Sequence, residues 1–164
     1  MGIFKKVIVH LNLYDMSTYT ETIGNKLNDL LEKTYDAEKG YKKAAENTKN
    51  THLKSFFGKK AQERYDFGHE LKTEIKAFGQ EVEKGGSVTG AAHRAWMDVK
   101  AMFSSDNDES MLEEAIRGEK ASIEEYNDVL SETALPPSTE TILTKQKNII
   151  QGELNTIKRL EDIR

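Results

Sequence analysis

Four charged side chains fall where the spacing of apolar residues predicts the buried face of a helix: Glu38, Arg64, Glu119 and Glu153. Each lies three, four or seven residues from apolar residues on the same predicted face. Gln146 is a fifth polar residue of this kind. Carboxylates that several helices direct into the core at one level can build a di-metal site. Carboxylates beside an arginine can instead form a buried ionic cluster.

The residues leave more than one form of such a cluster open. In a metal-free form, Arg64 is the hub and hydrogen-bonds to Glu38 and to either Glu119 or Glu153. Three carboxylates around one guanidinium leave excess negative charge, so either one glutamate binds a proton with a raised pKa or a further cation enters. The alternatives to this cluster are a weak or vestigial metal site and accidental placement of these side chains at the surface.

Apolar residues at three- and four-residue spacing predict four long helices that would carry these side chains. We expect the helices at residues 18–47, 51–82, 109–132 and 138–163. The short turns within the first pair and within the second pair predict two antiparallel helical hairpins. The adjacent prolines at 136 and 137 fit the start of the fourth helix.

A long link, residues 83–108, joins the two hairpins. It contains an amphipathic segment that predicts a short crossover helix at residues 88–103. The turn near Asn50 joins helices one and two. At a rise of 1.5 Å per residue, Glu38 lies about 18 Å and Arg64 about 20 Å from this turn. If helices two and three run parallel, Glu119 and Glu153 each lie about 15 Å from the same end, whereas an antiparallel arrangement moves Glu119 to about 30 Å. The shared level therefore favours the crossover.

Three segments carry a resemblance to a known family: Asp36-Ala37-Glu38-Lys39-Gly40-Tyr41, the crossover stretch from Gly90 to Lys100, and Arg117-Gly118-Glu119. Over residues 20–163 the chain resembles a bacterial family of ferritin-like four-helix-bundle proteins of unknown function, distantly similar to rubrerythrins and ferritins. The resemblance implies an all-α, ferritin-like four-helix bundle with a crossover helix between helices two and three. It also implies iron or manganese as the metal that such a bundle would hold.

The sequence departs from the ligand pattern of ferritin-like metal sites. Those sites use Glu-x-x-His on two helices, and this motif is absent from the sequence. The nearest match joins Asp66 to His69, but both fall on the outer side of helix two. Arg64 stands where helix two should supply a ligand, and a permanent cation repels a divalent metal. Glu63 lies about 90° from the stripe, and Leu154 stands where the resembling family carries a histidine.

Composition narrows the classes of function. The chain has 164 residues, enough for one domain with a substantial core. Its 28 acidic residues outnumber 24 basic ones, which argues against a nucleic-acid partner. The absence of cysteine excludes disulfides and thiolate metal sites. No apolar run predicts a membrane span or a convincing signal peptide, so we predict a cytoplasmic protein without a membrane partner.

The N-terminal residues 1–16 differ from the rest of the chain. They form a short apolar run that ends just before Thr18-Tyr19-Thr20-Glu21, a capping box that predicts the start of the first helix. We therefore predict an N-terminal extension at residues 1–16 and a ferritin-like domain at residues 17–164. The extension is either dispensable to the fold or a short arm that docks on a partner.

These observations favour a non-enzymatic structural, interaction or stress-related protein without catalytic residues or a cofactor. In this interpretation a structural ionic core replaces the di-metal site and consists of Glu38, Arg64, Glu119, Gln146 and Glu153. The alternative is a di-iron or di-manganese oxidoreductase or metal-storage protein, with Glu38, Glu63, Glu119 and Glu153 as candidate ligands. Homo-oligomers fit either function, and the sequence identifies no protein partner.

Overall fold

The computed structural model describes residues 2–83, 107–132 and 134–163, with side chains from residue 15 onward. Within these ranges the chain forms four α-helices, one 3₁₀ turn and no strand, which confirms the all-α class. The elements are α1 Gly2–Asn47, α2 Thr51–Ala77, α3 Asp108–Leu130, α4 Pro137–Thr156 and the 3₁₀ turn Leu160–Asp162. The predicted crossover helix at residues 88–103 lies outside the described residues.

Asparagine caps the first turns of α2 and α3. The Asn50 side-chain oxygen accepts hydrogen bonds from the backbone N–H of His52 at 3.0 Å and of Leu53 at 3.2 Å. The Asn107 side-chain oxygen accepts the equivalent bonds from the backbone N–H groups of Glu109 and Ser110 in α3. These caps satisfy amides that have no partner inside the helix. Pro137 occupies the first turn of α4, where its missing N–H and fixed φ cost nothing, as the sequence predicts.

Two helices end earlier than the sequence predicts. Helix α2 stops at Ala77 because Gly79 adopts a φ of +69°, a left-handed conformation that glycine reaches without a Cβ clash. The N–H of Gln80 then donates to the carbonyl of Ile75 at 3.2 Å. Helix α4 ends at Thr156, after which the backbone is extended. The apolar spacing that continues into residues 157–163 therefore belongs to a different local structure.

Helix α1 begins well before the predicted start. It is continuous from Gly2 to Asn47, so the predicted helix start at Thr18 is wrong. A capping box requires a non-helical residue at its first position. Here the hydroxyl of Thr22 donates to the carbonyl of Thr18 at 2.8 Å, and that of Thr20 donates to Ser17 at 3.1 Å. These are bonds of threonines inside a helix.

Helices α1 and α2 pack along most of their shared length. Near the end of α2, the side-chain amide of Asn28 donates to the carbonyl of Glu81 at 2.9 Å. Nearer the turn between the helices, the rings of Tyr41 and Phe57 stack with centroids 6.2 Å apart. Gly68 of α2 lies close to α1, since a Cβ there would meet the Leu31 side chain at 3.6 Å.

Helices α3 and α4 pack on each other and on the first two helices. The hydroxyl of Thr48, just after α1, donates to Asp108 at the start of α3 at 2.9 Å. The hydroxyl of Thr139, in the first turn of α4, donates to Glu74 of α2 at 2.7 Å. Both partners of the second bond are buried, so the first turn of α4 is held against the last turns of α2.

The apolar core consists of two clusters. The first includes Ile23, Leu27, Leu30, Leu31, Phe67, Leu71, Ile75, Tyr126, Val129, Leu143 and Ile150. The second includes Tyr41, Ala44, Leu53, Phe57, Ala61, Met111, Leu112 and Ala115. Along α2 and α3 the two clusters are separated by buried charged residues.

Candidate functional site

Five charged side chains from three helices meet between the two apolar clusters. We call this group the charged layer. Its members are Lys60, Glu63 and Arg64 of α2, Glu119 of α3 and Glu153 of α4.

Arg64 is a fully buried member of the charged layer, with 2% of its surface exposed. Its Nη2 donates to Glu119 Oε1 at 2.5 Å, and its Nη1 donates to Glu63 Oε1 at 3.1 Å. The guanidinium carbon also lies 6.0 Å from the ring centroid of Tyr41 and 5.4 Å from that of Phe67. The inward placement of Arg64 agrees with its sequence spacing, and its contacts join α2 to α3.

Lys60 is the second buried cation, and the sequence prediction missed it. It is 2% exposed, and its Nζ donates to Glu119 Oε2 at 3.2 Å and to Glu63 Oε1 at 3.3 Å. The same nitrogen forms an ion pair with Glu153. The signal was present in the sequence, because Lys60 lies three residues after Phe57 and four before Arg64, on the same apolar stripe.

Lys60 compensates part of the predicted excess of negative charge. The charged layer holds two cations, Lys60 and Arg64, against three carboxylates. Burial raises the pKa of Glu119, but the charges of Arg64 and Lys60 lower it by more, so the net pKa is below its usual value. Glu119 is therefore an ionised carboxylate between two cations. The additional cation is part of the chain itself.

Tyr41 completes the coordination of Glu119. Its hydroxyl donates to Glu119 Oε1, the same oxygen that accepts from Arg64. Burial, followed by the charge of Glu119, raises the pKa of the Tyr41 hydroxyl well above its usual value. The phenol therefore stays protonated as a donor, and both oxygens of Glu119 are hydrogen-bonded.

The structure does not bring Glu38 into the charged layer. Glu38 is largely buried, as its spacing predicts, but its Oε1 accepts from Lys42, one turn further along α1, at 2.5 Å. It lines a separate cavity with Ala61 and Tyr65 of α2. The predicted contact between Glu38 and Arg64 is replaced by the bond from Arg64 to Glu63, because Glu38 faces a different flank of α2.

Gln146 is buried as predicted, but its partners are neutral. Its side-chain oxygen accepts from the Tyr126 hydroxyl at 2.6 Å, and its Nε2 donates to the carbonyl of Phe67 at 3.3 Å. Burial raises the pKa of Tyr126, which keeps this donor protonated. Gln146 therefore joins α2, α3 and α4 through a separate hydrogen-bond network.

The charged layer includes a possible set of metal ligands. Among the described residues, oxygens of Glu63, Glu119 and Glu153 lie within 4.8 Å of one another. However, the Lys60 ammonium contacts all three carboxylates, and Arg64 binds two of them. A divalent ion among these oxygens would face two buried positive charges, so the residues present do not fit a metal centre.

The two residues of the nearest Glu-x-x-His-like match lie outside this layer, as the sequence predicts. Both Asp66 and His69 are exposed. Asp66 accepts from Gln62 at 3.0 Å, and the ring of His69 packs edge-on against Tyr65 with centroids 4.4 Å apart. They supply no nitrogen or oxygen ligand to the layer.

The lowered pKa of Glu119 predicts how acid weakens the fold. An unfolded glutamate titrates near pH 4.3, and folded Glu119 titrates below that value. The stabilisation from its ionised form is therefore complete above about pH 4.3 and is lost as the pH falls through the folded pKa. We expect the free energy of unfolding of the wild type to fall more steeply in acid than that of Glu119→Gln. Urea denaturation at a series of pH values measures both profiles.

The matched control for this experiment is Glu113→Gln, an exposed position on the same helix. Its pH profile should follow that of the wild type. Asp36, whose pKa is raised by burial, contributes to all three profiles alike and does not affect the comparison. Parallel acid profiles for wild type and Glu119→Gln would contradict the assigned ionisation.

Comparison with known proteins identifies a protein family for the chain, but this family has no assigned activity. The model of a family described as Domain of unknown function (DUF2383) matches residues 22–132. This range contains the charged-layer residues of α2 and α3, whereas Glu153 lies beyond it. No curated protein sequence matches the chain. Within the described residues, none of the helices combines the length and apolar character that crossing a membrane requires.

Proposed function

The chain belongs to the family defined by the domain of unknown function DUF2383, and from this premise we propose that it is a non-enzymatic structural or interaction protein with a ferritin-like fold. In this proposal Lys60 and Arg64 occupy the place that metal ions take in related bundles. The observation that carries the proposal is the position of the Lys60 ammonium, which contacts Glu63, Glu119 and Glu153 together.

The contacts between helices support the ferritin-like part of the proposal. Thr48, at the end of α1, bonds to Asp108, at the start of α3. Lys33, further back in α1, pairs with Glu125, further along α3, so these two helices run in opposite directions. Helix α2 starts just after the same end of α1 and returns along it. Helices α2 and α3 then run parallel, and residues 78–107 must connect their opposite ends. A long crossover of this kind is typical of ferritin-like bundles.

The chemistry of the charged layer favours a structural role. A general acid or base must exchange a proton with a substrate, and a metal ligand must offer a free electron pair. Tyr41, Arg64 and Lys60 already donate to three of the about four lone-pair positions of the Glu119 carboxylate, and the residue is 5% exposed. Paired charges in a core fix which side chains face one another, and this can specify the register of packed helices.

The proximity of three carboxylate oxygens favours one alternative, a di-iron or di-manganese oxidoreductase or storage protein. Elemental analysis of protein purified without chelator distinguishes the two. We expect no stoichiometric iron or manganese in the wild type. Stoichiometric metal that disappears in Glu119→Ala would overturn the proposal.

A second pair of variants keeps this test decisive if Glu119→Ala does not fold. Glu153→Gln removes the most exposed carboxylate of the layer, whose side chain is 38% exposed. Glu140→Gln changes an exposed glutamate near the start of the same helix and is the matched control. Metal that is lost in Glu153→Gln and retained in Glu140→Gln would support the metalloprotein.

A further inference from the structure

A half-open cavity of about 220 Å³ lies between α1 and α3 and reaches the charged layer. Arg64, Tyr41 and Glu119 form part of its wall. Small residues form much of the remainder: Ala37, Gly40, Ala115, Gly118, Ala121 and Ser122. Gly118 is exposed, and a Cβ added there would meet no atom within 4 Å, so the mouth of the cavity is open at this residue. The cavity therefore results from small side chains on facing helices.

Two polar atoms in the described part of the cavity wall have no hydrogen-bond partner. Within the described residues, Arg64 Nε and Glu114 Oε2 are buried and have no hydrogen-bond partner, and both residues line this cavity. The other carboxylate oxygen of Glu114, Oε1, forms an ion pair with Arg117 Nη1 at 2.9 Å. Buried polar atoms without a partner are uncommon in folded proteins and often mark a site for a ligand or water.

The charged residues of the cavity wall indicate that a ligand would carry a positive charge. Asp36, Glu114 and Glu125 line the cavity, and Lys33 pairs with Glu125 at 3.0 Å. Burial raises the pKa of Asp36 by more than the charge of Lys39 lowers it, so a further positive charge beside Asp36 would be favourable. Arg64 does not oppose such a ligand strongly, because Glu63 and Glu119 already compensate its charge.

We propose that this cavity binds a small organic cation with an aromatic body, of the arylalkylamine class. The ring lies among the small side chains, with its face toward the Arg64 guanidinium and the Tyr41 ring. The ammonium group lies at the rim, where it donates to Glu114 Oε2 and faces Asp36. An aromatic face attracts a cation, and a charged donor to a carboxylate forms a strong hydrogen bond.

The size of the cavity agrees with this class. An engineered apolar cavity of about 150 Å³ binds benzene. A cavity of about 220 Å³ has room for one ring and a short chain ending in an amine. The proposal uses the position of Arg64 in the cavity wall, but it holds whether the charged layer has a structural role or binds metal.

Isothermal titration calorimetry with phenethylamine tests the proposal on the full chain. We expect saturable binding of one phenethylamine per chain and much weaker binding of phenylacetate, which has the same ring but a negative group. Glu114→Gln should weaken phenethylamine binding by about tenfold, the loss expected for one charge-assisted hydrogen bond. Absence of saturable phenethylamine binding, or equal affinity for phenylacetate, would overturn the proposal.

Two glycine variants locate the binding. Gly118 lines the cavity and is exposed at its mouth, so the larger side chain of Gly118→Leu should block phenethylamine binding. Gly152→Leu makes the same change at an exposed position of α4 where a Cβ also meets no atom, and binding should be unchanged. Circular dichroism spectra report whether both variants fold. Equal phenethylamine affinity in the two variants would place binding elsewhere and contradict the assignment.

Discussion

Replacing Arg64 by alanine is expected to lower the free energy of unfolding by about 3–5 kcal/mol, the usual cost of removing one partner from a buried ion pair. The variant leaves Glu119 buried without its shortest ionic contact, and it removes one of the two cations beside Glu63. It also removes the buried stem of the arginine from between the two apolar clusters. Urea denaturation followed by circular dichroism measures the loss.

A surface lysine supplies the control for Arg64→Ala. Lys145 pairs with Glu70 at 3.2 Å, but its side chain is 59% exposed. Exposed pairs of this kind contribute about 0–1 kcal/mol, so Lys145→Ala should have a small effect. The double variant Arg64→Met with Glu119→Leu removes both charges and should recover much of the lost stability. Equal losses for Arg64→Ala and Lys145→Ala would show that the arginine is not part of a dry ionic layer.

Replacing Lys60 by alanine should lower the free energy of unfolding about as much as Arg64→Ala does. It should also create a site that binds Mn²⁺. Three carboxylates would remain with Arg64 as their one cation, so the charge of the layer changes from −1 to −2. The repulsion should destabilise the fold by about 3–5 kcal/mol in the presence of chelator. The vacated space between the oxygens of Glu63, Glu119 and Glu153 should then accept Mn²⁺, which would restore part of the stability by binding the folded state.

Thermal denaturation with and without Mn²⁺ measures both effects of Lys60→Ala. The neighbouring variant Lys59→Ala removes an exposed lysine of the same helix and should change neither stability nor the response to Mn²⁺. Adding Glu153→Gln to Lys60→Ala should weaken the Mn²⁺ response, because it removes one of the three carboxylates. If Lys60→Ala is as stable as Lys59→Ala, the central role assigned to the Lys60 ammonium is wrong.

The charged layer has a structural consequence that the apolar clusters alone do not provide. Apolar side chains on two helices can often repack after a shift of one turn, since their contacts are not directional. A similar shift of α3 along α2 would separate Glu119 from Lys60 and Arg64 and leave buried charges unpaired. The layer should therefore specify one register of the bundle, in agreement with the proposed non-enzymatic function.

Much of α2 could be predicted from its sequence. Its apolar residues recur at a helical period, and Arg64 lies on the same stripe as Phe57 and Leu71. The structure buries all three. Lys60 follows the same spacing, which predicts a buried position. A lysine on an apolar stripe is nevertheless easily assigned to the surface, because its long stem can carry the ammonium to water. Here Glu119 and Glu63 keep it inside.

The sequence by itself determined that the described chain is helical, and it identified Arg64, Glu119 and Gln146 as polar residues of the buried faces. Only the tertiary structure decided which charges meet. The helical period specifies the direction of a side chain around its own axis, but not the rotation or offset of the helix it packs against. For this reason Glu38, on the predicted stripe, pairs with Lys42, whereas Glu63, well off the stripe, reaches both buried cations.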